Sequence, residues 1–233
     1  MKIALLGYGK MGKIIEQIAV SKGHEIVIKA SRDSKYNIAD ADVAIEFSVP
    51  SAAVENISNC LKHNVPVVSG TTGWLEHYDE MVKLCNNEQG AFLYASNFSL
   101  GVNLFFELNR YLAKMMSQFK QYDATIEEIH HTQKLDKPSG TAITLAQGII
   151  KEHEGYNHYK LDASGTESIP IYSKRIPEVP GTHTISYVSN VDTISISHEA
   201  HNRNGFALGA VLAAEWIIGK KGVFSMKDVL NIG

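Results

Sequence analysis

The stretch KIALLGYGKMGKIIEQIAVSKG, residues 2–23, decides the reading of the fold. KIALLG is a short apolar run that reads as a buried strand. Glycines follow at 7, 9 and 12. Ile14, Ile15, Ile18 and Ala19 then fall at helical spacing, and Gly23 stands where a helix would end. In a dinucleotide-binding turn the first glycine makes the bend, the second lets backbone approach a pyrophosphate, and the third lets helix and strand pack closely. The phosphates then meet free N–H groups at the positive end of the helix. Glycine turns are common, so the pattern alone is weak. Its strand–turn–helix setting makes nucleotide binding the better reading.

The same alternation runs on to about residue 100. Apolar runs at 24–31, 42–48, 65–69 and 91–96 read as strands, and helical patterns follow Pro50 and span about 75–87. Alternation of this kind implies a parallel sheet with right-handed crossovers. From Gly101 the character changes. A long helix is followed by a strand over 123–131, a loop, and a helix over about 139–153. A polar, glycine-containing connection spans roughly 154–168. Strands with period-2 alternation follow at 168–176, 182–188 and 193–200, the last two joined by a Ser-Asn-Val-Asp turn. The apolar helix FALGAVLAAEWIIG, from Phe206, is expected to pack back on the first domain. The fold class is therefore α/β. An N-terminal Rossmann-like dinucleotide-binding domain (1–100 plus 206–233) is joined to an α+β domain (101–205) with a mainly antiparallel sheet.

Composition narrows the function classes. The chain has 233 residues, 44% hydrophobic and 20% charged, with a formal net charge of -3, so it has no general attraction to nucleic acid or acidic membranes. Cys60 and Cys85 lie in unrelated segments and read as free thiols of a reducing cytoplasm. The start lacks the apolar run and cleavage site of a signal peptide. No stretch reaches the roughly 18 apolar residues of a membrane span.

The tip of the second strand bears on the cofactor. An NAD-selective site places an acid there for the ribose hydroxyls. Here Ser31 and Arg32 come first and Asp33 follows. Arg32 offers a forked, charge-assisted contact to a 2′-phosphate. The competing reading is a solvated surface arginine. The segment favours NADPH and leaves NADH open as a second cofactor.

A second constellation lies in EEIHHTQKLDKPSGTA, residues 127–142. Adjacent histidines point to opposite sides of an extended chain, so His130 and His131 are poor partners for one ion. No cysteine or convincing carboxylate completes a zinc set, and no metal is expected. The common fate of such a pair is a surface loop. Lys134 nearby changes the weighing, as does Ser139, a good N-cap that would leave the N–H groups of Gly140, Thr141 and Ala142 facing an anion. Histidines, a lysine and a helix start make a site for a small dicarboxylate, with a proton donor that titrates near neutral pH.

This stretch resembles the signature Glu-x-His-His-x-x-Lys-x-Asp-Ala-Pro-Ser-Gly-Thr-Ala of the dihydrodipicolinate reductase family, with Lys137 where the family has alanine. EFSVP (46–50), SGTTG (69–73), ASNFSLGVN (95–103), PGTHTISY and HEAHNRNGFALGAVLAAEW resemble further family segments, so the likeness covers nearly the whole chain. GYGKMG is shorter than the family's usual glycine loop, and Lys10 stands where arginine is common. The resemblance implies NAD(P)H-dependent reduction of 4-hydroxy-tetrahydrodipicolinate in the diaminopimelate route to lysine. It implies His130 as proton donor and acceptor and Lys134 as a second proton donor. His131, Gly140 and Thr141 would contact substrate. Gly7, Tyr8, Gly9, Lys10, Met11 and Gly12 would contact cofactor, together with Gly70, Thr71 and Thr72 and with Ala95, Ser96, Asn97 and Phe98. It also implies a homotetramer assembled through the second domain's sheet.

Two rival readings follow from the same residues. One is another two-domain NAD(P)-dependent dehydrogenase of a small carboxylate; the complete His-His-x-x-Lys and Ser-Gly-Thr set argues against it. The other is a nucleotide sensor without turnover, which would call for a basic recognition helix that the chain lacks. Partners are thus a small dicarboxylate and further copies of the chain, with neither nucleic acid nor membrane. For Arg175 and Arg203 both a substrate contact and a solvated salt bridge stay open.

Overall fold

The computed structural model describes residues 1–31 and 34–232. Contacts divide the chain into two compact units, residues 1–100 with 204 onward, and residues 101–203. The first hundred residues run β1 (Lys2–Leu6), α1 (Lys10–Ser21), β2 (Glu25–Ala30), β3 (Val43–Glu46), α2 (Pro50–Lys62), β4 (Val67–Ser69), α3 (Tyr78–Asn87) and β5 (Ala91–Tyr94). The second unit holds α4 (Leu100–Met116), which begins at its edge, then β6 (Asp123–His130), α5 (Gly140–Glu152), β7 (His158–Leu161), β8 (Ser168–Arg175), β9 (Gly181–Val188) and β10 (Thr193–Ala200). The chain returns to the first unit with α6 (Asn204–Ile217), β11 (Gly222–Phe224) and α7 (Met226–Leu230).

In the first unit the strands form one six-stranded sheet in the order β11-β5-β4-β3-β1-β2, every pairing parallel. Its central strands are near-continuous apolar runs because both faces are covered, while the edge strand β2 exposes Glu25 and Lys29. Ile3, Leu5, Val43, Ile45 and Leu93 point into a core with Ile15 and Ala19 of α1 and Ala210, Val211 and Ile217 of α6. Their neighbours Ala4, Leu6, Ala44 and Phe92 point the other way, against Ala53 and Ile57 of α2 and Met81 of α3. Cys60 and Cys85 are free and buried in that second core. The parallel order places the turns after β1, β3, β4 and β5 along one edge, the carboxyl end of the sheet, where ligands of such folds bind.

The second unit is built on a five-stranded sheet, β10-β9-β6-β8-β7. The expected antiparallel arrangement holds for β10, β9 and β6, while β8 and β7 join in parallel. The α5 crossover leads from β6 into β7 and returns the chain in the same direction, and residues 162–167 then carry it back to start β8 parallel to both. Alternate residues of three neighbouring strands, Ala124 and Ile126, Ile169 and Ile171, Ile185 and Tyr187, pack on Phe105 and Ala113 of α4 and Leu145 and Ile149 of α5. Farther along the same face the residues turn polar: Glu128 and His130 on β6, Ser173 and Arg175 on β8, His183 on β9. Register sets Glu128 opposite both Ser173 and His183, and His130 opposite Arg175.

Three elements depart from the sequence expectation. β7 lies within the segment read as a connection, and β11 and α7 follow the last helix expected.

Candidate active site

The polar end of the second sheet gathers around Glu128, which is fully buried. Ser173 Oγ donates to Glu128 Oε1 at 2.6 Å, and the Ser139 N–H reaches both carboxylate oxygens at 3.1–3.2 Å. Arg175 Nη2 lies 3.3 Å from Oε1. Burial pushes this carboxyl up, but the bonds from Ser139 and Ser173 and the nearness of His130 outweigh it and hold the group below the usual carboxylate range.

His130, at the end of β6, is 7% exposed. Its Nδ1 stands 3.5 Å from Glu128 Oε2, out of line for a hydrogen bond, and it has no other partner among the described residues. Burial is the main force holding its pKa below the usual value, and Lys134 and Arg175 add to it against the pull of Glu128. Its ring meets that of His183 edge-on at 5.0 Å. His183 Nε2 is 3.2 Å from Ser139 Oγ, and that oxygen accepts from the Ala142 N–H to cap α5. Burial, then the nearness of His130, pushes His183 down to about 3, so it stays neutral near neutral pH.

The loop of residues 131–138 is strapped to the sheet by Arg175, whose Nη2 donates to the Asp136 carbonyl at 2.6 Å and whose Nε donates to the Lys134 carbonyl at 3.3 Å. Lys134 Nζ is paired with Asp136 at 2.9 Å. His131 is half-buried, as is Thr141, while Gly140 is exposed in the first turn of α5. The structure thus brings His130, Lys134, His131, Gly140 and Thr141 onto one strand end, loop and helix start. Arg175 is not a solvated ion pair. It is an internal strap, with its side chain 11% exposed. Arg203 lies exposed beyond β10.

No carboxylate close in sequence completes a metal set with His130 and His131. Register supplies a different set: ligand atoms of Glu128, His130 and His183 lie within 4.8 Å of one another. The donor set still disfavours a cation, because Glu128 is occupied by two N–H and O–H donors and by the Arg175 guanidinium.

In the first unit the glycine loop has the expected constraints. Gly7 adopts φ +104°, and a Cβ on it would stand 2.1 Å from the Phe47 carbonyl oxygen. A Cβ on Gly12 would meet the Gly7 carbonyl oxygen at 2.4 Å, which is the close helix–strand packing asked of the third glycine. Nothing lies within 4 Å of the corresponding position on Gly9, and no side chain caps α1. An open, uncapped helix start beside a tight turn fits the pyrophosphate of a dinucleotide. Tyr8 donates to Glu16, which pairs with Lys29 at 2.5 Å, and Lys10 is exposed while Met11 is half-buried. Arg32 lies outside the described residues.

The other expected cofactor residues divide. Thr72 and Ser96 are exposed, and Gly70 and Ala95 half-buried, at the carboxyl ends of β4 and β5. Thr71 faces inward: its hydroxyl donates to the buried Glu46 at 2.9 Å and accepts from the Ser48 N–H. Phe98 is a core residue, 1% exposed and packed on Phe47 at 5.4 Å, so only its backbone is offered to a ligand. Asn97 Oδ1 accepts from the Ser99 N–H. Glu46, Glu128, Ser173 and His183 are site residues that the sequence alone does not single out. The signal for the last three was the shared switch from apolar to polar on alternate residues of three strands.

Comparison with known proteins supplies the family. The model of the dihydrodipicolinate reductase N-terminus matches residues 1–98, and that of its C-terminus matches residues 101–230. The 4-hydroxy-tetrahydrodipicolinate reductase of Christiangramia forsetii is 55% identical, covering 99% of this chain and 98% of the relative. That of Methanoregula boonei is 36% identical, over 90% of this chain and 83% of the relative. Among solved structures, the dipicolinate-bound dihydrodipicolinate reductase from Paenisporosarcina sp. TG-14 shares the fold, with a TM-score of 0.78 at 24% identity and 97% of each chain covered. An aspartate dehydrogenase from Thermotoga maritima is a more distant likeness in fold, with a TM-score of 0.51 at 16% identity over 96% of this chain and 99% of that one. With both halves of the sequence matched and the relatives aligned nearly end to end, the chain belongs to the dihydrodipicolinate reductase family.

Proposed function

We propose that the chain reduces 4-hydroxy-tetrahydrodipicolinate to tetrahydrodipicolinate in the diaminopimelate route to lysine, with NADPH as the favoured reductant and NADH as a second. The observation that carries the reading is the buried, neutral-leaning His130 on the same short segment as Lys134 and the capped start of α5. Residues 1–100 with the C-terminal segment serve as the dinucleotide-binding domain, and the second unit binds substrate and assembles the oligomer. Gly7, Gly9 and Gly12 and the start of α1 hold the pyrophosphate, while Gly70, Thr72 and the backbone of Ala95, Ser96, Asn97 and Phe98 flank the nicotinamide. Thr71 acts from inside, tying its loop to Glu46. Arg32 favours the 2′-phosphate.

The reduced nicotinamide supplies a hydride. The chain's own residues bind the dicarboxylate and move protons. The N–H groups of Gly140 and Thr141 and the positive end of α5 hold one carboxylate. Lys134 places fixed positive charge near the ring nitrogen, which helps most in a water-poor site. His130, whose depressed pKa makes its protonated form a stronger acid than an exposed histidine, delivers and recovers the proton. His131 completes the substrate contacts.

A homotetramer through the open face of the second sheet is supported by its surface. Thr184 and Ser197 Oγ atoms meet at 2.9 Å and those of Ser186 and Ser195 at 2.8 Å, an exposed row of hydroxyls on the face opposite Ile185 and Tyr187. No helix among the described residues is long and apolar enough to cross a membrane, and a cytoplasmic location is proposed. The deciding experiment uses the freshly made condensation product of pyruvate and aspartate semialdehyde, with NADPH and NADH in separate reactions. Loss of reduced-nicotinamide absorbance is expected with both and faster with NADPH. Absence of turnover with either would overturn the function, and faster turnover with NADH would overturn the cofactor assignment.

A further inference from the structure

We propose that Glu128 is a positioning residue: one buried carboxylate orients the His130 ring and, through Arg175, fixes the loop that carries Lys134. This rests on the reading of His130 and Lys134 as the proton-handling groups. A charge removed from water is costly unless it is paired and hydrogen-bonded, and a well-packed apolar side chain often replaces such a pair without loss. Glu128 therefore calls for an account beyond packing. Its donors come from different parts of the unit: Ser173 and Arg175 on β8, and Ser139 at the start of α5. His130 Nδ1 lies at 3.5 Å and His183 Nε2 at 3.8 Å from the same oxygen, Oε2.

The arrangement gives the His130 ring a direction. Glu128 faces Nδ1, which leaves Nε2 on the far edge of the ring, beside Gly181. Gly181 keeps that edge clear, because a Cβ there would stand 3.1 Å from Nε2. Arg175 then carries the constraint onward. With Glu128 on one side, its guanidinium holds the carbonyls of Asp136 and Lys134 at 2.6 and 3.3 Å on the other. The histidine and the lysine are thus placed from one anchor.

The test separates this role from mere support of the fold. His130 is faced by Glu128 on its own strand, Arg175 on β8, His183 on β9, and Lys134 and Asp136 on the loop. Removing the Glu128 charge should shift His130 ionisation down, and removing the Arg175 charge should shift it up. Glu128→Gln and Arg175→Gln would each be followed by the histidine ring signals in an NMR titration of the full chain without substrate, with the His130 signal assigned from His130→Gln. Shifts of about one pH unit in opposite directions are expected. In each variant kcat should fall roughly 10- to 100-fold, on the scale of one positioned proton-transfer group, with the cofactor KM unchanged. A folded Glu128→Gln with unmoved His130 ionisation and normal kcat would overturn the proposal. If Glu128→Gln does not fold, Arg175→Gln decides, because it leaves Glu128 its Ser139 and Ser173 donors. There an upward shift with lost kcat supports the role, and no change overturns it. The titration needs no substrate, so a chain inactive on the dicarboxylate would sink the functional reading and leave the charge effect on His130 to be judged by itself.

Discussion

Burial, and the charges of Lys134 and Arg175, hold the His130 pKa below the usual value against the pull of Glu128. A positioned proton-transfer group contributes about two to four orders of magnitude in rate. His130→Gln and Lys134→Ala are therefore each expected to cut kcat by about two orders of magnitude or more, with circular dichroism unchanged. Near-normal turnover in a folded variant would remove that residue from the mechanism. The loop pair was legible because both residues stand within one short segment. Glu128, Ser173 and His183 were not singled out, because strand register brings them together from 45 and 55 positions apart, as the β6–β8 and β6–β9 pairings show. His183 adds a prediction about acid. Its pKa falls from the ordinary 6.5 to about 3 on folding, through burial first. The folded state therefore refuses a proton that the unfolded chain accepts. The stability this contributes is whole above about pH 6.5 and is lost as pH falls toward 3, at roughly 1.4 kcal/mol per pH unit. His130, His153 and His198 are shifted the same way, and burial leads in each. Stability measured by urea unfolding should fall on acidification through this window and fall less steeply in His183→Gln. Parallel slopes would mean that His183 is protonated in the folded state.

Elements were legible where periodicity was strong and obscure where they were short. The buried strands of the first unit announce themselves as apolar runs, and α5 announces its start through Ser139. β7, HYKL, is a largely exposed edge strand of four residues in which only Tyr159 is partly buried, so its segment reads as a connection. β11 has only three residues, one of them glycine. α7 has five residues, yet it carried a readable sign: Ser225 and Asp228 form a capping box, with the Ser225 N–H donating to the Asp228 carboxylate at 2.7 Å. The strand–helix–strand order around α5 sets the direction of β7, and β8 follows it in parallel. At the start of α5, Ser139 serves two elements at once. Its hydroxyl caps the helix through Ala142 and touches His183 on β9. Loss of an N-cap costs about 0.5–2 kcal/mol. Ser139→Ala is expected near the top of that range, because it also strips a buried His183 nitrogen of its partner. Ser139→Thr, which keeps the hydroxyl, should recover most of the loss in the same unfolding measurement. Equal losses for the two variants would mean that shape, and not the bond, matters at this position.

For the molecule as a whole, the chain path matters as much as any site. It leaves the first unit near residue 100 and returns near residue 204, so the core beneath one face of the parallel sheet is closed by α6, a helix made after the entire second unit. The composition of FALGAVLAAEWIIG suggests burial, since a helix rich in alanine and glycine can approach backbone closely. What the sequence could not show is which small residue is indispensable. Two glycines of α6 answer differently. A Cβ on Gly209 would lie 1.7 Å from the Phe98 carbonyl oxygen, a backbone atom that cannot swing aside. A Cβ on Gly205 would meet only Ser99 Oγ at 3.5 Å, an ordinary contact. Alanine is intrinsically better than glycine inside a helix by about 0.8–1 kcal/mol. Gly205→Ala is therefore expected to leave stability unchanged or raise it slightly. Gly209→Ala must instead push the helix off the sheet or displace the loop of Ala95–Phe98, and overpacking of this kind costs about 1–3 kcal/mol or more. Because that loop is proposed to flank the cofactor, Gly209→Ala should also raise the KM for the reduced nicotinamide cofactor, while Gly205→Ala leaves it alone. Urea unfolding and cofactor titration of the two variants side by side would check this. If both substitutions behave alike, the close seating of α6 on the Phe98 backbone is not what holds the first unit and its cofactor loop in place.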